Sequence, residues 1–264
     1  MNPKILFVFL LTTAALIAAG QDNNLLNQSD AKGLKQGHWI RKTPQGHIQY
    51  EGYFKDNLPV GQFKRYYEND SLSSVLVYSA DSKSADATFY YQNGFIESKG
   101  KYVNQKKEGK WKFFSAVKAD YLLCEEDYLH NLKNGLSVKY YPDKTPSEKL
   151  SYINDVKSGE WYQYFPNGQV CLKATYTDGQ LNGKFTLYYD NGKPEFTGQY
   201  NNDSRDGNWI RYNIDGSLKK TISYVNGQIT NPELNKEDTD YLDALEKNKG
   251  KIEDPEKTGT IFQQ

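Results

Sequence analysis

The sequence predicts an all-β protein: an elongated, single-layer antiparallel meander of about eight β-hairpin repeats of 24 residues, with a short C-terminal helix. Two observations predict this fold. A glycine recurs every 24 residues between residues 37 and 230, and asparagine–glycine turns separate segments rich in aromatic and β-branched residues. A repeat of this length is typical of stacked supersecondary units, none of which can bury its apolar face alone.

The repeated glycine defines position 0 of each unit. Position 17 is Tyr or Phe in all eight units, position 5 is aromatic in seven, and position 2 is Trp or Phe in six. Every interval is 24 residues except the 26-residue interval after Gly109, where the Ser115–Asp120 stretch contains an insertion. The residues at position 0 are Gly37, Gly61, Ala85, Gly109, Gly135, Gly159, Gly183 and Gly207.

Residues 1–20 have the features of a secretory signal peptide. Lys4 supplies the positive charge, an apolar run follows over residues 5–17, and Ala18-Ala19-Gly20 are small residues at a cleavage site. The apolar run is shorter than the roughly 20 residues that a membrane-spanning helix needs. We therefore expect cleavage near Gly20 and an exported chain, either periplasmic or extracellular. Residues 21–36 are expected to form a lead-in that protects the first edge of the sheet.

The sixth unit illustrates the hairpin expected throughout residues 37–230. Two segments of strand-like residues flank Pro166-Asn167-Gly168, and glycine is suited to this turn because the turn requires a positive φ. A shorter polar connection then leads to the next unit, so successive hairpins are expected to pair into one continuous sheet. The turn signal recurs at Asn93-Gly94, Asn191-Gly192 and Asp215-Gly216, and weakly at Gln45-Gly46.

The register of each hairpin has two alternatives. Alternation along the second strand places position 17 on the packed face. A two-residue turn would place positions 2, 4 and 6 on that same face, whereas a three-residue loop with a bulge would place position 5 there. Pro166 favours the longer loop in its own unit. Either way, one aromatic row is expected to be more exposed than the other.

The residues that follow the repeats predict a helix and a tail. Asn231-Pro232-Glu233 has the pattern of a helix start, and Gly250 ends the segment. We expect a helix over residues 231–250, either covering the last hairpin or solvated, and a flexible tail over residues 251–264. The apolar stripe of this helix consists of Leu234, Tyr241, Leu242 and Leu245.

Composition and cysteine usage exclude several functions. The formal net charge is zero and no basic stripe is present, so we expect no nucleic-acid partner. The three histidines share no metal-ligand spacing and no catalytic motif is present, so we expect neither a cofactor, a bound metal nor an enzyme. Cys124 and Cys171 lie two hairpins apart, roughly 20 Å, and should remain free thiols, with Cys124 on the packed face.

Three segments resemble the Y-x-G-x-W core of MORN repeats: residues 50–54, 98–102 and 196–200. The Gly-x-Trp and Asn-Gly pattern of the units resembles the bacterial variant of proteins labelled YwqK-like, most closely in the sixth and seventh units. The resemblance covers about residues 37–230 and implies a single-layer antiparallel sheet. It also implies a scaffold for protein assembly or a membrane-associated module. An antitoxin label would follow from this resemblance only.

The function expected from the sequence is a non-catalytic scaffold for a protein partner in the cell envelope. The alternative is a glycan- or wall-binding module with exposed aromatic rows, and a membrane surface is a further candidate partner. Tyr and Trp favour such contacts because they supply a large area at small entropy cost. Packing of the sheet is the competing role for the same residues. The candidate binding residues are Trp39, Phe63, Trp111, Trp161, Phe185 and Trp209 at position 2, and Tyr66, Tyr90, Tyr140, Tyr164, Tyr188 and Tyr212 at position 5.

Overall fold

The computed structural model describes residues 25–230 and 240–244. Residues 25–230 form 19 strands of one open antiparallel sheet, and each strand pairs with its neighbour in the sequence. Residues 240–244 are helical. The predicted all-β meander with a short C-terminal helix is therefore confirmed. The signal peptide over residues 1–20, Leu234, Leu245 and the tail over residues 251–264 lie outside the described residues, so these remain predictions.

The strands follow the 24-residue unit, two to each hairpin, with short additional strands near both ends. Their bounds are β1 Gln28–Ser29, β2 Lys35–Lys42, β3 Ile48–Lys55, β4 Leu58–Tyr66, β5 Leu72–Tyr78, β6 Ser84–Tyr90, β7 Ile96–Val103, β8 Lys106–Phe114, β9 Leu122–Leu129, β10 Leu132–Tyr140, β11 Pro146–Ile153, β12 Val156–Tyr164, β13 Val170–Thr177, β14 Gln180–Leu181, β15 Gly183–Tyr188, β16 Pro194–Asn201, β17 Ser204–Tyr212, β18 Leu218–Val225 and β19 Gln228–Ile229.

Every hairpin except the fourth closes with a three-residue loop and regains the register of a two-residue turn. In the fourth hairpin the Ser115 N–H donates to the Tyr121 carbonyl across a five-residue loop. In the sixth unit the Gly168 N–H donates to the Phe165 carbonyl and the Phe165 N–H donates to the Gln169 carbonyl. A bulge then leaves Cys171 unpaired between the Tyr164–Val170 and Gln163–Leu172 pairs. This bulge compensates for the extra loop residue. The expectation that a three-residue loop would place position 5 on the packed face is thus wrong, and positions 2 and 4 lie there.

Successive hairpins, except the second and third, are joined by two-residue turns in which both central residues have positive φ, as in the sharp turns that match strand twist. The second turn residue also bonds to the previous unit. The Asn131 side-chain oxygen accepts the Lys107 N–H at 2.6 Å, and the Asn131 N–H donates to the Lys107 carbonyl at 3.1 Å. Asp155 makes the same pair of bonds with Lys133. These bonds fix each turn against its neighbour.

The repeated glycine forms a second bulge at the start of each unit. Gly61 has a φ of 60° and lies between the Gly52–Phe63 and Tyr53–Val60 pairs. This left-handed conformation explains the need for glycine. The third unit lacks it: Ala85 pairs with Tyr78 in a regular ladder without a bulge. In the other units two residues form the bulge. In the third unit these two residues instead lengthen the preceding turn, which has four residues between Ser79 and Ser84.

The two faces of the sheet differ in burial. The face that carries positions 2, 4, 13, 15 and 17, which we name the buried face, contains the apolar core. One core cluster centres on Trp111 and Tyr128, and a larger one extends from Leu150 to Tyr224. The expected placement of position 17 on the packed face is confirmed. The face that carries positions 1, 3, 5, 14 and 16 is named the tyrosine face.

The C-terminal helical turn packs on the buried face at the seventh and eighth units. Leu242 is 2% exposed and belongs to the larger core cluster. Asp243 forms an ion pair with Arg205 at 2.9 Å, and the Tyr241 ring lies 6.0 Å from the Phe196 ring. At residues 240–244 the helix therefore covers the last hairpin, and the alternative of a solvated helix does not apply to these residues. The predicted limits of 231 and 250 fall outside the described residues.

Both cysteines are free thiols, as predicted. Cys124 is fully buried on the buried face among aromatic side chains, where it acts as a small apolar residue. Cys171 is half-buried at its bulge. Burial raises the pKa of the Cys171 thiol to about 11, so little reactive thiolate is present near neutral pH.

Glycine at position 15 allows a large ring to lie directly on the neighbouring backbone. A Cβ at Gly52, Gly100 or Gly198 would overlap the position 2 ring of the following unit, which is Phe63, Trp111 or Trp209. These three glycines are the central glycines of the segments that resemble the MORN core. The pattern therefore has a packing cause: the glycine leaves room for the next aromatic ring.

Replacement of Gly198 by Ala should destabilise the protein by roughly 1 to 3 kcal/mol, because the new methyl group overpacks the Trp209 ring. The same substitution should cost much less in a Trp209→Ala background, where the ring is absent. Thermal unfolding of the two single variants and the double variant measures this coupling. Equal costs in both backgrounds would show that the ring does not require the glycine.

Candidate interaction surface

The structure separates the two predicted aromatic rows by face. The position 2 row lies within the core: Trp111 is 1% exposed and Trp209 is 0% exposed. The indole N–H of Trp209 donates to the Gln199 carbonyl at 3.1 Å, so its polar group is also satisfied. Phe63, Trp161 and Phe185 are buried too, and Trp39 is half-buried at the first hairpin. Rings in this environment stabilise the sheet and offer no free face.

Rings at positions 2 and 17 form an interlocked ladder along the buried face. Trp209 contacts Tyr200 at 5.1 Å and Tyr224 at 6.2 Å between ring centroids, both edge-on. Trp111 contacts Tyr102 at 5.0 Å and Tyr128 at 6.5 Å in the same manner. Edge-to-face pairs contribute about 0.5–1.5 kcal/mol each beyond their buried area. The ladder therefore connects each hairpin to the next.

A row of cations covers this ladder. The Lys107 ammonium lies 4.9 Å from the Trp111 centroid and 4.9 Å from the Tyr128 centroid, and Arg205 takes the same place over Trp209. Aliphatic stems of such side chains shield apolar rings while the charge faces the π-system. Sequence reasoning missed this row, although its signal is visible as a charged residue two positions before the repeated residue. The members of the row are Lys35, Lys107, Lys133, Lys157 and Arg205, while Lys83 has the same spacing but lies over no ring of the described residues.

A buried ion-pair network replaces the ring ladder in the middle of the sheet. Glu126, 1% exposed, accepts the Tyr128 hydroxyl at 2.7 Å and pairs with Lys133 at 2.7 Å. One strand pair further, Glu148 pairs with Lys139 at 2.9 Å. Burial opposes the charged form of Glu148, but Lys139 outweighs it, and the pKa of this carboxyl lies below its usual range. Both carboxylates are therefore matched to cations inside the core region.

The position 5 row lies half-buried on the tyrosine face. All six predicted tyrosines of this row have part of their surface in solvent: Tyr66, Tyr90, Tyr140, Tyr164, Tyr188 and Tyr212. The hydroxyl of Tyr66 donates to Glu51 at 2.7 Å, and burial together with this carboxylate raises the pKa of Tyr66 to about 12. The row is therefore partly accessible, and at Tyr66 the phenol is held neutral by its environment.

Position 6 carries a second tyrosine ladder that sequence reasoning missed. The Tyr141 hydroxyl donates to the Tyr164 carbonyl of the next unit at 2.6 Å, and the Tyr189 hydroxyl donates to the Tyr212 carbonyl at 2.9 Å. Tyr67 and Tyr91 make the same bond in the first half of the sheet. The recurrence of tyrosine at position 6 was visible in the sequence, but the hydrogen bond that its hydroxyl makes depends on the geometry of the loop. These bonds hold the position 5 residues in place.

Charges on the tyrosine face are paired across strands. Lys112 pairs with Glu125 at 2.7 Å, and Lys110 pairs with Asp127 at 3.2 Å. Lys173 pairs with Glu160 at 2.8 Å, and its ammonium lies 5.1 Å from the centroid of Tyr162. These pairs balance the charges of the six side chains that form them.

Exposed apolar side chains form a stripe beside the two-residue turns of the fourth to sixth units. Leu129 pairs with Leu132, and Ile153 pairs with Val156, one hairpin further along. Their exposed fractions lie between 40% and 57%. Strand alternation places all four, and Leu136, on the tyrosine face. We name these five residues the apolar edge. The sequence analysis did not identify these residues, because they are recognised only once the two-residue turns between the hairpins have been located.

The histidines share no site within the described residues. His38 stacks on Tyr53 at 4.9 Å, His47 lies 2.8 Å from Asp70, and His130 lies 3.5 Å from Glu108. Over residues 25–230 and 240–244, the side chains of His, Cys, Asp and Glu form no group of three suited to a metal ion. In the same residues, no helix is long and apolar enough to cross a membrane.

Comparison with known proteins supports the repeat assignment. The family model described as MORN repeat variant matches residues 157–178 and 181–202. The predicted MORN resemblance is confirmed over these residues, while the YwqK-like subfamily remains a prediction. MORN repeats are generally protein- or membrane-binding motifs, and the module is non-enzymatic. The comparison with curated proteins gives no match.

Among solved structures, the crystal structure of TcdB2-TccC3-TEV aligns with 75% of this chain at 10% sequence identity and a TM-score of 0.19. The aligned region is 14% of that chain, so this protein spans only a small part of its length. A similarity at this level carries no information about function.

Substitution of Tyr141 by Phe should reduce the free energy of unfolding by about 1 kcal/mol, because the Tyr164 carbonyl loses its donor. Tyr162→Phe is the control, since its hydroxyl donates to the exposed Glu160 and should matter little. Urea unfolding measures both. A Tyr141→Phe protein as stable as the wild type would show that the position 6 ladder does not hold successive hairpins together.

Substitution of Glu148 by Gln should reduce stability at pH 7 by roughly 3 kcal/mol, because Lys139 loses its buried partner. The folded-state pKa of Glu148 is depressed, so its contribution is present above the ordinary carboxyl pKa and is lost as the pH falls through the folded value. The difference from wild type should therefore shrink at pH 3. Denaturant unfolding at both pH values tests this, and a constant difference would contradict it.

Proposed function

We propose that this chain is a non-catalytic interaction scaffold, exported to the cell envelope, that binds a protein partner on its tyrosine face at the fourth to sixth units. The observation that carries the proposal is the apolar edge, whose members are 39–57% exposed and lie next to one another. Solvent-exposed apolar side chains that cluster in this way are typical of protein interaction sites.

The surroundings of the apolar edge have the composition of a protein interface. Half-buried Tyr140, Tyr162 and Tyr164 lie on the same face, and tyrosine contributes large contact area with few rotatable bonds. The ion pair between Lys112 and Glu125 neutralises the neighbouring charge. Protein interfaces differ from ordinary solvated surfaces in having an apolar centre, flanking aromatic residues and a rim of paired polar groups.

Export rests on the sequence of residues 1–20, whose positive start, apolar run and small residues end near Gly20. We therefore expect the protein partner in the periplasm or outside the cell. An antitoxin role, implied only by resemblance, does not enter this proposal.

A glycan partner finds less support. Sugar rings stack on exposed aromatic faces, but the Trp rings at position 2 are turned into the core. A membrane partner would favour a cationic surface, whereas Lys107 over the ladder faces aromatic rings and Lys112 of the tyrosine face, next to the apolar edge, pairs with Glu125. Both partners are outcomes of the experiment below.

The test compares two matched double variants. Leu132→Asp with Ile153→Asp introduces charge into the apolar edge, while Leu58→Asp with Val225→Asp introduces it at equivalent turn-flanking positions, 54% and 55% exposed, in other units. We expect the wild type and the second variant to recover one stoichiometric protein from an envelope extract. The first variant should lose at least about tenfold in recovery, because a charged residue inside an interface is strongly unfavourable.

Controls separate the other partners. Sedimentation of the purified mature chain with isolated wall glycan and with anionic liposomes measures retention by each. Retention on either, unchanged by the first double variant, together with no protein recovered from the extract, would refute a protein partner. Circular dichroism confirms that both variants are folded.

A further inference from the structure

The buried face contains a cavity at the third unit. It has a volume of about 370 Å³ and lies between the second and fourth units. Tyr78, Phe89 and Tyr102 supply aromatic walls, and Arg65 and Lys83 supply cations. Both cationic residues are exposed to solvent, so the cavity is accessible from outside. A volume of this size is within the range of small-molecule sites.

The cavity lies where the third unit departs from the repeat in two ways. Position 2 is Ala87, so the ring that fills this place in the neighbouring units, Phe63 and Trp111, is missing. Position 0 is Ala85, and the absent bulge moves Lys83 out of the strand and into a four-residue turn. Lys83 therefore does not cover a ring as Lys107 does in the next unit.

The cations of this cavity lack the carboxylates that their equivalents have. At position 4, Lys139 pairs with Glu148 and Arg211 pairs with Glu195. Arg65 occupies the same position, but its cross-strand neighbour is Ser74. Within residues 25–230 and 240–244, neither the Arg65 guanidinium nor the Lys83 ammonium forms an ion pair within 4.0 Å, although the Lys83 backbone N–H donates to the Asp81 carboxylate at 3.1 Å. Two cations outside the ion pairs of the described residues thus lie at one cavity, with Asp81 in the same turn as Lys83.

The remaining polar groups are hydrogen-bond donors. Tyr78 and Tyr102 line the cavity, and burial raises the pKa of both phenols, so each carries its proton at neutral pH. Gln105 and Ser74 add an amide and a hydroxyl. Neither Asp nor Glu lines the cavity. Aromatic walls with donors and positive charge are complementary to an anion that carries an apolar body.

We propose that this cavity binds a small organic anion with a flat apolar body. The body would lie against Tyr78, Phe89 and Tyr102, in the place that the position 2 ring fills in neighbouring units. The carboxylate, sulfonate or similar group would bond to Arg65 and Lys83. This site is independent of the protein-docking surface, because it lies on the opposite face and in other units.

The probe for the test is 8-anilinonaphthalene-1-sulfonate, whose fluorescence rises on binding. We expect saturable binding to the folded mature chain at one site. Arg65→Gln and Lys83→Gln should each weaken binding by about tenfold, because each removes a charged donor. Lys101→Gln, an exposed lysine on the tyrosine face of the third unit, is the matched control and should leave binding unchanged. Circular dichroism melts verify the fold of all three variants.

Competition identifies the ligand chemistry. 1-Naphthoate should displace the probe, and the neutral 1-naphthalenemethanol should do so at least about tenfold less well. Equal displacement by the neutral compound, or probe binding that Arg65→Gln and Lys83→Gln leave intact, would overturn the proposal. An absence of saturable binding by both anions would overturn it as well. None of these results depends on whether the apolar edge recruits a protein.

Discussion

The ladder of rings at positions 2 and 17 is the interaction on which this sheet depends. A single layer has no second sheet to cover it, so each hairpin must bury its apolar side chains against its neighbours. Trp209 achieves this between Tyr200 and Tyr224, with Arg205 above it. Glycine at position 15 permits the closest approach, as at Gly198. The aromatic content of the sequence, 14%, is therefore largely structural rather than a row of binding groups.

Two units lack the position 2 ring, and each replaces it differently. In the fifth unit Ser137 leaves room for Glu126 and Lys133, whose buried ion pair separates the two core clusters. In the third unit, where position 2 is Ala87, a cavity lies on the buried face between Tyr78 and Phe89. A repeat protein of this kind adds its stability from neighbouring contacts, so it tolerates a local departure without losing the whole sheet. Departures from the repeat are therefore places where binding groups can be accommodated.

The two faces consequently have different roles. The buried face uses rings, cations and the C-terminal helical turn to form a core, and it is open mainly where the third unit breaks the pattern. The tyrosine face is linked from strand to strand by ion pairs such as Lys112 with Glu125, and from unit to unit by the hydroxyl of Tyr141. Rigid backbone bonds beneath an accessible surface suit recognition, because little conformational entropy is lost when a partner binds. The MORN repeat match at residues 157–178 and 181–202 agrees with such a scaffold.

The sequence alone determined the repeat, the hairpins, the meander and the terminal helix, because spacing, turn residues with positive φ and strand alternation are local properties. It also predicted the free thiols and the burial of position 17. The register was decided only by the tertiary structure, since the bulge at Cys171 offsets the extra loop residue. The burial of Trp111, the cation of Lys107 above it and the cavity beside Ala87 depend on which side chains neighbouring strands bring together. A linear pattern states what recurs, but contacts between strands decide which recurring residues are buried and which remain available to a partner.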